Sequence, residues 1–245
     1  MSGKMRILIA LTYYRPHYSG LTIYADRLAR ALAERGHRVQ VLTSRFAKAL
    51  PKHETIEGVE IVRPRVLMRI SKGVIMPSMP YRAWQMIRQA DVVNVHVPQL
   101  DAAFIAVLAR LLGKPVVMTY QCDLQLPKGL IHWLANQASH LANHITALAS
   151  NLIVSTSQDY AENSTFLRSY LEKVRVVFPS VEMAETSAAA LADFRKRHGL
   201  IAGQPVIGML ARLATEKGVE YLVQALPQVL EKYPQARVLY AGEYQ

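Results

Sequence analysis

Residues 6–43 read RILIALTYYRPHYSGLTIYADRLARALAERGHRVQVLT and combine two short apolar runs with one amphipathic segment. The first run, within Arg6–Thr12, is continuously apolar, as expected for a strand that helices cover on both faces. From Leu21 onward apolar residues recur at helical spacing, and Gly36 supplies a stop signal. Val39–Thr43 is the second apolar run. These residues therefore predict one strand–helix–strand unit.

The same alternation recurs along the chain. Further strands are predicted at 91–97, 115–120, 152–155 and 174–178, with helices at 100–112, 129–149 and 158–170. This order is typical of the α/β class with a doubly wound, mostly parallel sheet. Such sheets bind ligands beyond the carboxyl ends of their strands, which nominates the loops after Thr12, Val97, Tyr120 and Ser155.

Two changes of pattern divide the chain into three parts. Residues 1–178 carry the repeated pattern and predict a first domain. Residues 179–203 are rich in Ala, break the apolar alternation and predict a connector. Residues 204–245 contain one further strand–helix–strand unit. Because two strands and one helix are too few for a doubly wound domain, we expect this part to be the incomplete start of a second one.

The composition excludes several classes of protein. Of 245 residues, 51% are hydrophobic and 19% charged, which is unlike a disordered chain. The single cysteine, Cys122, cannot form an internal disulfide or a cysteine-based zinc site, and we expect it to be a buried filler. The apolar run at Ala102–Ala109 ends at Arg110, well short of a membrane span. A cytoplasmic protein is therefore expected, and the net charge of +11 favours an anionic partner.

The loop after the first strand offers the first candidate cleft residues: Tyr13, Tyr14, Ser19 and Gly20. Glycine permits close approach of a ligand to the backbone, and the helix N-terminus behind it favours an anion. The loop does not match the GxGxxG pattern of nicotinamide-cofactor proteins. An ordinary strand-to-helix turn explains it equally well.

Further candidates end the later strands. His96 ends its strand, although a lone histidine there is usually structural. Gln121 has an amide that can donate and accept, and Asp123 is placed either to orient a substrate hydroxyl or to cap a turn. The other histidines have no metal-ligand spacing, so no metal site is expected.

Arg212 and Lys217 lie between a strand and a helix of the last part, in the segment ARLATEKG. Two cations and a glycine in that position suit a phosphate clamp. Charge spacing alone favours the simpler interpretation, a solvated loop in which Glu216 pairs with Lys217.

A basic segment covers residues 61–90, since no acidic residue lies between Glu60 and Asp91. Basic residues mixed with apolar and aromatic ones suit the surface of an anionic bilayer. An irregular connection that buries its apolar residues is an equal alternative. No nucleic-acid-binding signature is present. The cations of this predicted membrane surface are Arg63, Arg65, Arg69, Lys72, Arg82 and Arg88.

Taken together, these segments resemble the retaining glycosyltransferases of family 4, which have the GT-B fold and include the phosphatidylinositol mannosyltransferases. The resemblance covers essentially the whole chain. It rests on residues 7–36, on the strand-end His-Val-Pro of Asp91–Pro98, on Thr119–Asp123, and on 208–227, which opens with GMLARLATEKG.

This resemblance implies two Rossmann-like domains that face each other across a cleft. The first domain would bind a lipid-linked or saccharide acceptor, and the second a nucleotide-sugar donor such as a UDP- or GDP-hexose. Arg212 and Lys217 match the cations that hold the donor diphosphate, and Gly20 matches the glycine-rich loop near the donor phosphate. No cofactor and no metal are implied, because the cations stabilise the leaving diphosphate.

Two departures from the family pattern limit these expectations. Gln121 stands where the family often has histidine, and an amide cannot act as an acid or base near neutral pH. The family's pair of glutamates, seven residues apart, would fall beyond Gln245, so we expect this polypeptide alone to be weakly active or inactive. An alternative function is a non-catalytic membrane-surface module that uses residues 61–90. Either function fits a protein peripheral to the inner face of the cell membrane.

Overall fold

The computed structural model describes residues 3–70, 73–123, 129–181, 185–214 and 217–242. The chain forms two compact units that divide between Val181 and Glu182. Much of the predicted connector 179–203 therefore belongs to the second unit, where it carries a helix.

The first unit contains most of the regular structure. Its elements are β1 (Arg6–Ala10), α1 (Gly20–Glu34), β2 (Arg38–Leu42), β3 (His53–Ile56), β4 (Val59–Val62), β5 (Met68–Ile70), β6 (Gly73–Ile75), α2 (Met79–Gln89), β7 (Val92–Val97), α3 (Ala102–Leu111), β8 (Val116–Tyr120), α4 (Leu130–Ala149), β9 (Leu152–Ser155), α5 (Gln158–Asn163), a 3-10 helix (Leu167–Lys173) and β10 (Val174–Val176). The second unit contains α6 (Ala188–Arg197), β11 (Val206–Leu210), α7 (Val219–Lys232) and β12 (Arg237–Ala241).

One eight-stranded sheet organises the first unit, in the order β10-β9-β8-β7-β1-β2-β4-β3. Every pairing is parallel except that of the edge strand β3 with β4. In the second unit β11 and β12 pair in parallel. The predicted α/β class with a Rossmann-like, mostly parallel sheet is therefore confirmed.

Alternate residues of β1 enter two different cores, which explains its continuous apolar run. Ile7 and Ile9 pack in one core with Ala25 and Ala29 of α1. Leu8 and Ala10 face the other core, to which α2, α3 and α4 contribute. A strand covered by helices on both faces needs apolar residues at every position.

Two stretches add to or correct the sequence prediction. Residues 44–78, for which no element was predicted, contain the antiparallel pairs β3–β4 and β5–β6. The predicted helix 158–170 is wrong in its second half, since α5 ends at Asn163. The Ser164 hydroxyl then accepts the N–H of Leu167 at 3.3 Å, where the 3-10 helix begins. Among the described residues, no helix is both long and apolar enough to cross a membrane.

Candidate functional site

The carboxyl ends of β1, β2 and β7 are joined by polar contacts at one edge of the sheet. The Thr12 hydroxyl donates to Gln99 Oε1 at 3.2 Å, and the Thr43 hydroxyl donates to the Thr12 carbonyl at 3.2 Å. The Ser44 N–H donates to the same carbonyl at 3.0 Å. Parallel strands bring these loops together, so this edge is the candidate site.

This edge contains polar groups that the sequence prediction missed. Gln99 and Ser44 are buried, and Gln99 Nε2 and Ser44 Oγ have no hydrogen-bond partner within the described part of the chain. Gln99 and Asp101 line a small cavity with Thr43, Leu11 and Met76 among others. Burial raises the pKa of Asp101 to about 6. The loop after Val97 was nominated by its position, but no motif in the sequence marks Gln99 or Asp101.

The first loop leads into a capped helix. Ser19 is the N-cap of α1, and its hydroxyl accepts the Thr22 N–H at 3.2 Å. Gly20 begins the helix and is exposed, and a Cβ added there would meet no atom within 4 Å. The packing of the chain therefore does not require glycine at this position, which leaves space in front of the helix N-terminus.

Three aromatic rings pack together at the same edge. The Tyr13 ring stacks on His17 with centroids 4.9 Å apart, and Phe46 approaches both rings edge-on at 5.8 Å. All three residues are partly exposed. Tyr13 is therefore partly exposed at this edge and stays a candidate cleft residue, while His17 and Phe46 are additions to the candidate site.

Tyr14 corrects one sequence prediction. It is 1% exposed, and its hydroxyl donates to Asp26 Oδ1 at 2.8 Å. Burial and the Asp26 carboxylate raise the pKa of Tyr14 above its usual range. Arg15 and Arg30 bind the other oxygen of Asp26 at 2.7 and 3.2 Å. Tyr14 therefore anchors the loop to α1 from inside and does not line a cleft.

His96 is likewise buried, with 1% of its surface exposed, so its predicted place in the cleft is wrong. It pairs in register with Thr119 of β8 and packs edge-on against the Tyr24 ring at 5.9 Å. Neither ring nitrogen has a hydrogen-bond partner among the described residues. Burial lowers the pKa of His96 to about 3, so the ring is neutral at physiological pH.

Asp123 is held by a network of hydroxyl groups. Its Oδ1 accepts the hydroxyls of Tyr120 at 2.7 Å and Ser164 at 3.0 Å, and its N–H donates to Tyr160 Oη at 2.6 Å. These contacts fix the loop after β8. Gln121 Nε2 in that loop is buried, with no partner in the described part of the structure. Cys122 is exposed, contrary to the prediction of a buried filler.

The cations of the second unit follow β11. Arg212 and Lys217 are both exposed, and Gly218 at the start of α7 has a positive φ of 64°. Residues 215–216 of the predicted clamp, including Glu216, lie outside the described residues. Exposure at the carboxyl end of a strand leaves both cations accessible to an anionic ligand.

The predicted membrane surface is only partly exposed. Arg63 is 2% exposed and forms a salt bridge with Glu54, so a membrane cannot reach it. Arg65 and Arg69 are exposed around the β5–β6 hairpin. Lys72 lies outside the described residues. Arg82 and Arg88 are both on α2. Within the described ranges, no group of three or more metal-ligating side chains occurs.

A parallel sheet that helices cover on both faces, with loops gathered at its carboxyl edge, defines a Rossmann-like α/β protein. A second unit with a parallel strand pair follows it, and Arg212 and Lys217 are exposed there. A glycosyl transferase 4-like domain model matches residues 19–180, and the chain belongs to that family.

The relatives are glycosyltransferases. The chain is 30% identical to the 2-deoxystreptamine glucosyltransferase of Streptomyces kanamyceticus, covering 84% of the chain and 58% of that protein. It is 25% identical to an uncharacterized glycosyltransferase of Methanocaldococcus jannaschii, covering 97% and 63%. It is 24% identical to the D-inositol 3-phosphate glycosyltransferase of Pseudarthrobacter chlorophenolicus, covering 88% and 54%. The chain thus spans between half and two thirds of these relatives.

Solved structures support the same fold. The chain superposes on Anabaena HepE in complex with UDP and glucose with a TM-score of 0.68 at 18% identity, covering 98% of the chain and 62% of HepE. The catalytic domain of Arabidopsis thaliana starch synthase IV, bound to ADP and acarbose, gives a TM-score of 0.64 at 15% identity, covering 99% and 69%.

Proposed function

We propose that the chain supplies the acceptor-binding domain and the first part of the donor-binding domain of a glycosyltransferase, which moves a sugar from a nucleotide-sugar donor with retention of configuration. The observation that carries this proposal is the family match over residues 19–180, continued by relatives into the second unit. The polar, partly unsatisfied edge of the first sheet supports a site for a hydroxyl-bearing acceptor.

The donor is a UDP-sugar or a related nucleotide sugar. HepE has been solved with UDP and with UDP-glucose, and starch synthase IV with ADP. In our chain, Arg212 and Lys217 would hold the donor diphosphate and stabilise the charge that develops on it as it leaves. Gly20 leaves room for a donor phosphate near the N-terminus of α1.

Donor binding tests the role of these cations. We expect titration calorimetry to detect UDP binding to the chain, and Arg212→Ala or Lys217→Ala to weaken it about tenfold or more, because each substitution removes a charge-assisted hydrogen bond. Arg237→Ala is the matched control, since Arg237 is an exposed cation at the opposite, amino end of the same strand pair. Unchanged affinity in both variants, or equal weakening in the control, would contradict the clamp.

The acceptor is lipid-linked or a saccharide. Rings and polar groups side by side suit a sugar-like ligand, and Tyr13, His17 and Phe46 lie at the same edge as Gln99 and Thr43. Gln121 would contact this ligand as a hydrogen-bonding amide and not as a proton carrier.

A peripheral position on the inner face of the cell membrane would bring the enzyme to a lipid-linked acceptor. Arg65 and Arg69 support it, because both are exposed cations with no acidic neighbour in the sequence 61–90. We expect salt-sensitive co-sedimentation with anionic vesicles that weakens in the Arg65→Gln/Arg69→Gln variant. Vesicle binding by a chain that shows no UDP binding would favour the non-catalytic membrane module.

A further inference from the structure

The helices on one face of the large sheet have an unusual charge pattern. α2, α3 and α4 contain no aspartate or glutamate, and α4 has no formally charged residue over its 20 positions. The cations of this layer are Arg82, Arg88 and Arg110. α3 packs against both α2 and α4, so the three helices form one continuous layer.

The outer surface of this layer exposes large apolar side chains at helical spacing. On α2, Tyr81 and Trp84 are stacked with centroids 6.1 Å apart, and the Arg88 guanidinium lies 4.8 Å above the Trp84 ring. The exposed apolar residues of the layer, which we call the outer helical face, are Tyr81, Trp84, Phe104, Val107, Leu111, Trp133, Leu141, Ile145 and Leu148. Grouped exposed apolar side chains of this size are typical of a contact surface, whereas single ones are common on any protein.

Other helices of the chain do not share this pattern. α1, on the opposite face of the same sheet, carries Asp26 and Glu34 besides its arginines. α7 in the second unit carries Glu220, Glu231 and Lys232. The absence of acidic residues is therefore specific to one layer and does not follow from the overall composition.

We propose that the outer helical face docks onto an anionic lipid bilayer, with its aromatic and aliphatic side chains at the depth of the headgroups and its arginines against lipid phosphates. Surfaces that bind at the membrane interface combine exposed Trp, Tyr, Phe and Leu side chains with basic residues. The outer helical face has this combination, and the charged residues of its helices are all arginine. The three arginines of the layer, with no acidic residue on its helices, complement anionic lipids. This inference rests on the peripheral location proposed above and adds the outer helical face to Arg65 and Arg69 as the main membrane contact.

A second copy of the chain is a poorer occupant of this face. A symmetric interface would bring the same patch of both copies together. Arg82, Arg88 and Arg110 of one copy would then face those of the other without a carboxylate in either layer to pair with them. Like charges opposed in an apolar interface oppose association, whereas an anionic bilayer neutralises them.

Both tryptophans of the chain, Trp84 and Trp133, lie on the outer helical face, with exposed fractions of 38% and 56%. Intrinsic fluorescence therefore reports on this surface without any label. On vesicles of phosphatidylcholine with about one third phosphatidylglycerol, we expect a blue shift of emission and quenching by lipids brominated in their acyl chains. Trp84→Phe and Trp133→Phe leave one reporter each and separate the contributions of α2 and α4.

Substitutions on the face should weaken vesicle binding in two ways. Leu141→Ser combined with Leu148→Ser removes apolar contacts with the lipid. We expect the partition coefficient of the chain onto vesicles, obtained from the bound fraction at fixed lipid, to fall about tenfold. Arg88→Gln with Arg110→Gln should weaken it about fivefold for each arginine, with a smaller dependence on salt. The matched controls are Ile23→Ser in α1 and Arg35→Gln just after it, which also change exposed residues and should bind as the unchanged chain does.

The outcomes separate this surface from the proposed function. Binding that is lost in Arg65→Gln/Arg69→Gln but kept in the outer-face variants would move the contact to the β5–β6 hairpin and overturn the inference. Vesicle binding without a blue shift of the tryptophan emission would also overturn it. A blue shift that appears with rising protein concentration in the absence of lipid would overturn it too, because it would indicate self-association. UDP binding, measured on the same variants, reports on the donor site independently of either result.

Discussion

Arg63 lies in the middle of the basic segment but has a structural role. Its guanidinium reaches Glu54 and donates to the Arg15 carbonyl at 2.8 Å, so it ties the β3–β4 hairpin to the first loop. Its burial explains why a charge-based prediction of membrane contact fails for this one residue. A sequence shows the charge of an arginine but not the carbonyls that surround it.

We expect Arg63→Met to lower the free energy of unfolding by about 3 kcal/mol, because Glu54 and the Arg15 carbonyl lose their partner in a buried setting. Urea denaturation measures this change. Arg65→Met, two residues away and exposed, is the matched control and should stay within about 0.5 kcal/mol. Similar losses in both variants would mean that Arg63 is not an internal anchor.

His96 gives the stability of the protein a defined dependence on pH. Its pKa is about 3 when folded, against 6.5 for the unperturbed group. Between these values the unfolded state binds a proton that the folded state lacks, so stability falls as pH falls, by about 1.4 kcal/mol per pH unit. Asp101 opposes this, since its pKa is raised from 3.8 to about 6 and folding there favours the protonated acid.

His96→Leu should therefore leave stability nearly unchanged at pH 7.5 and raise it relative to the unchanged chain as pH falls from about 6.5 to 4. The replacement removes a neutral ring whose two nitrogens have no partner among the described residues, so little is lost at high pH. Urea unfolding at a series of pH values measures the difference. Asp101→Asn should change the slope in the opposite sense between about pH 4 and 6, and parallel pH profiles for all three proteins would contradict both assignments.

At the scale of elements, the sequence predicted long periodic segments well and short ones poorly. The strands of the large sheet that helices cover on both faces have continuous apolar runs, and β1, β7 and β8 were predicted within a residue or two. β5 and β6 have three residues each, too few for a pattern to emerge. Their antiparallel pairing depends on contacts between segments, which periodicity does not report.

The position of the candidate edge follows from the sequence more directly than its residues do. The rule that ligands bind at the carboxyl ends of parallel strands depends only on strand direction, and loops that follow these strands do meet at one edge. Ligand binding at that edge stays a prediction. Tyr14 and His96 were misassigned, since a residue near a strand end faces either the cleft or the core. Gln99 and Asp101 were missed because no motif marks them, and their burial and lack of partners appear only in three dimensions.

At the scale of the whole molecule, the two units differ in how much they bury. Every side chain of the two cores lies in the first unit, whereas in α6 and α7 no residue is buried. Because burial of apolar surface is the main stabilising contribution, the second unit should open locally at a lower free energy than the first.

Hydrogen exchange followed by mass spectrometry measures this difference directly. We expect peptides containing β11 and β12 to exchange much faster than peptides containing β7 and β8, whose amides should open only with the first unit as a whole. Saturating UDP should slow exchange around Arg212 and Lys217, because a ligand that binds only the folded unit stabilises it by mass action. Arg237→Ala should keep that effect and Arg212→Ala should reduce it. Equal protection in both units would contradict the assignment of the second unit as the less stable one, and this outcome does not depend on whether UDP binds.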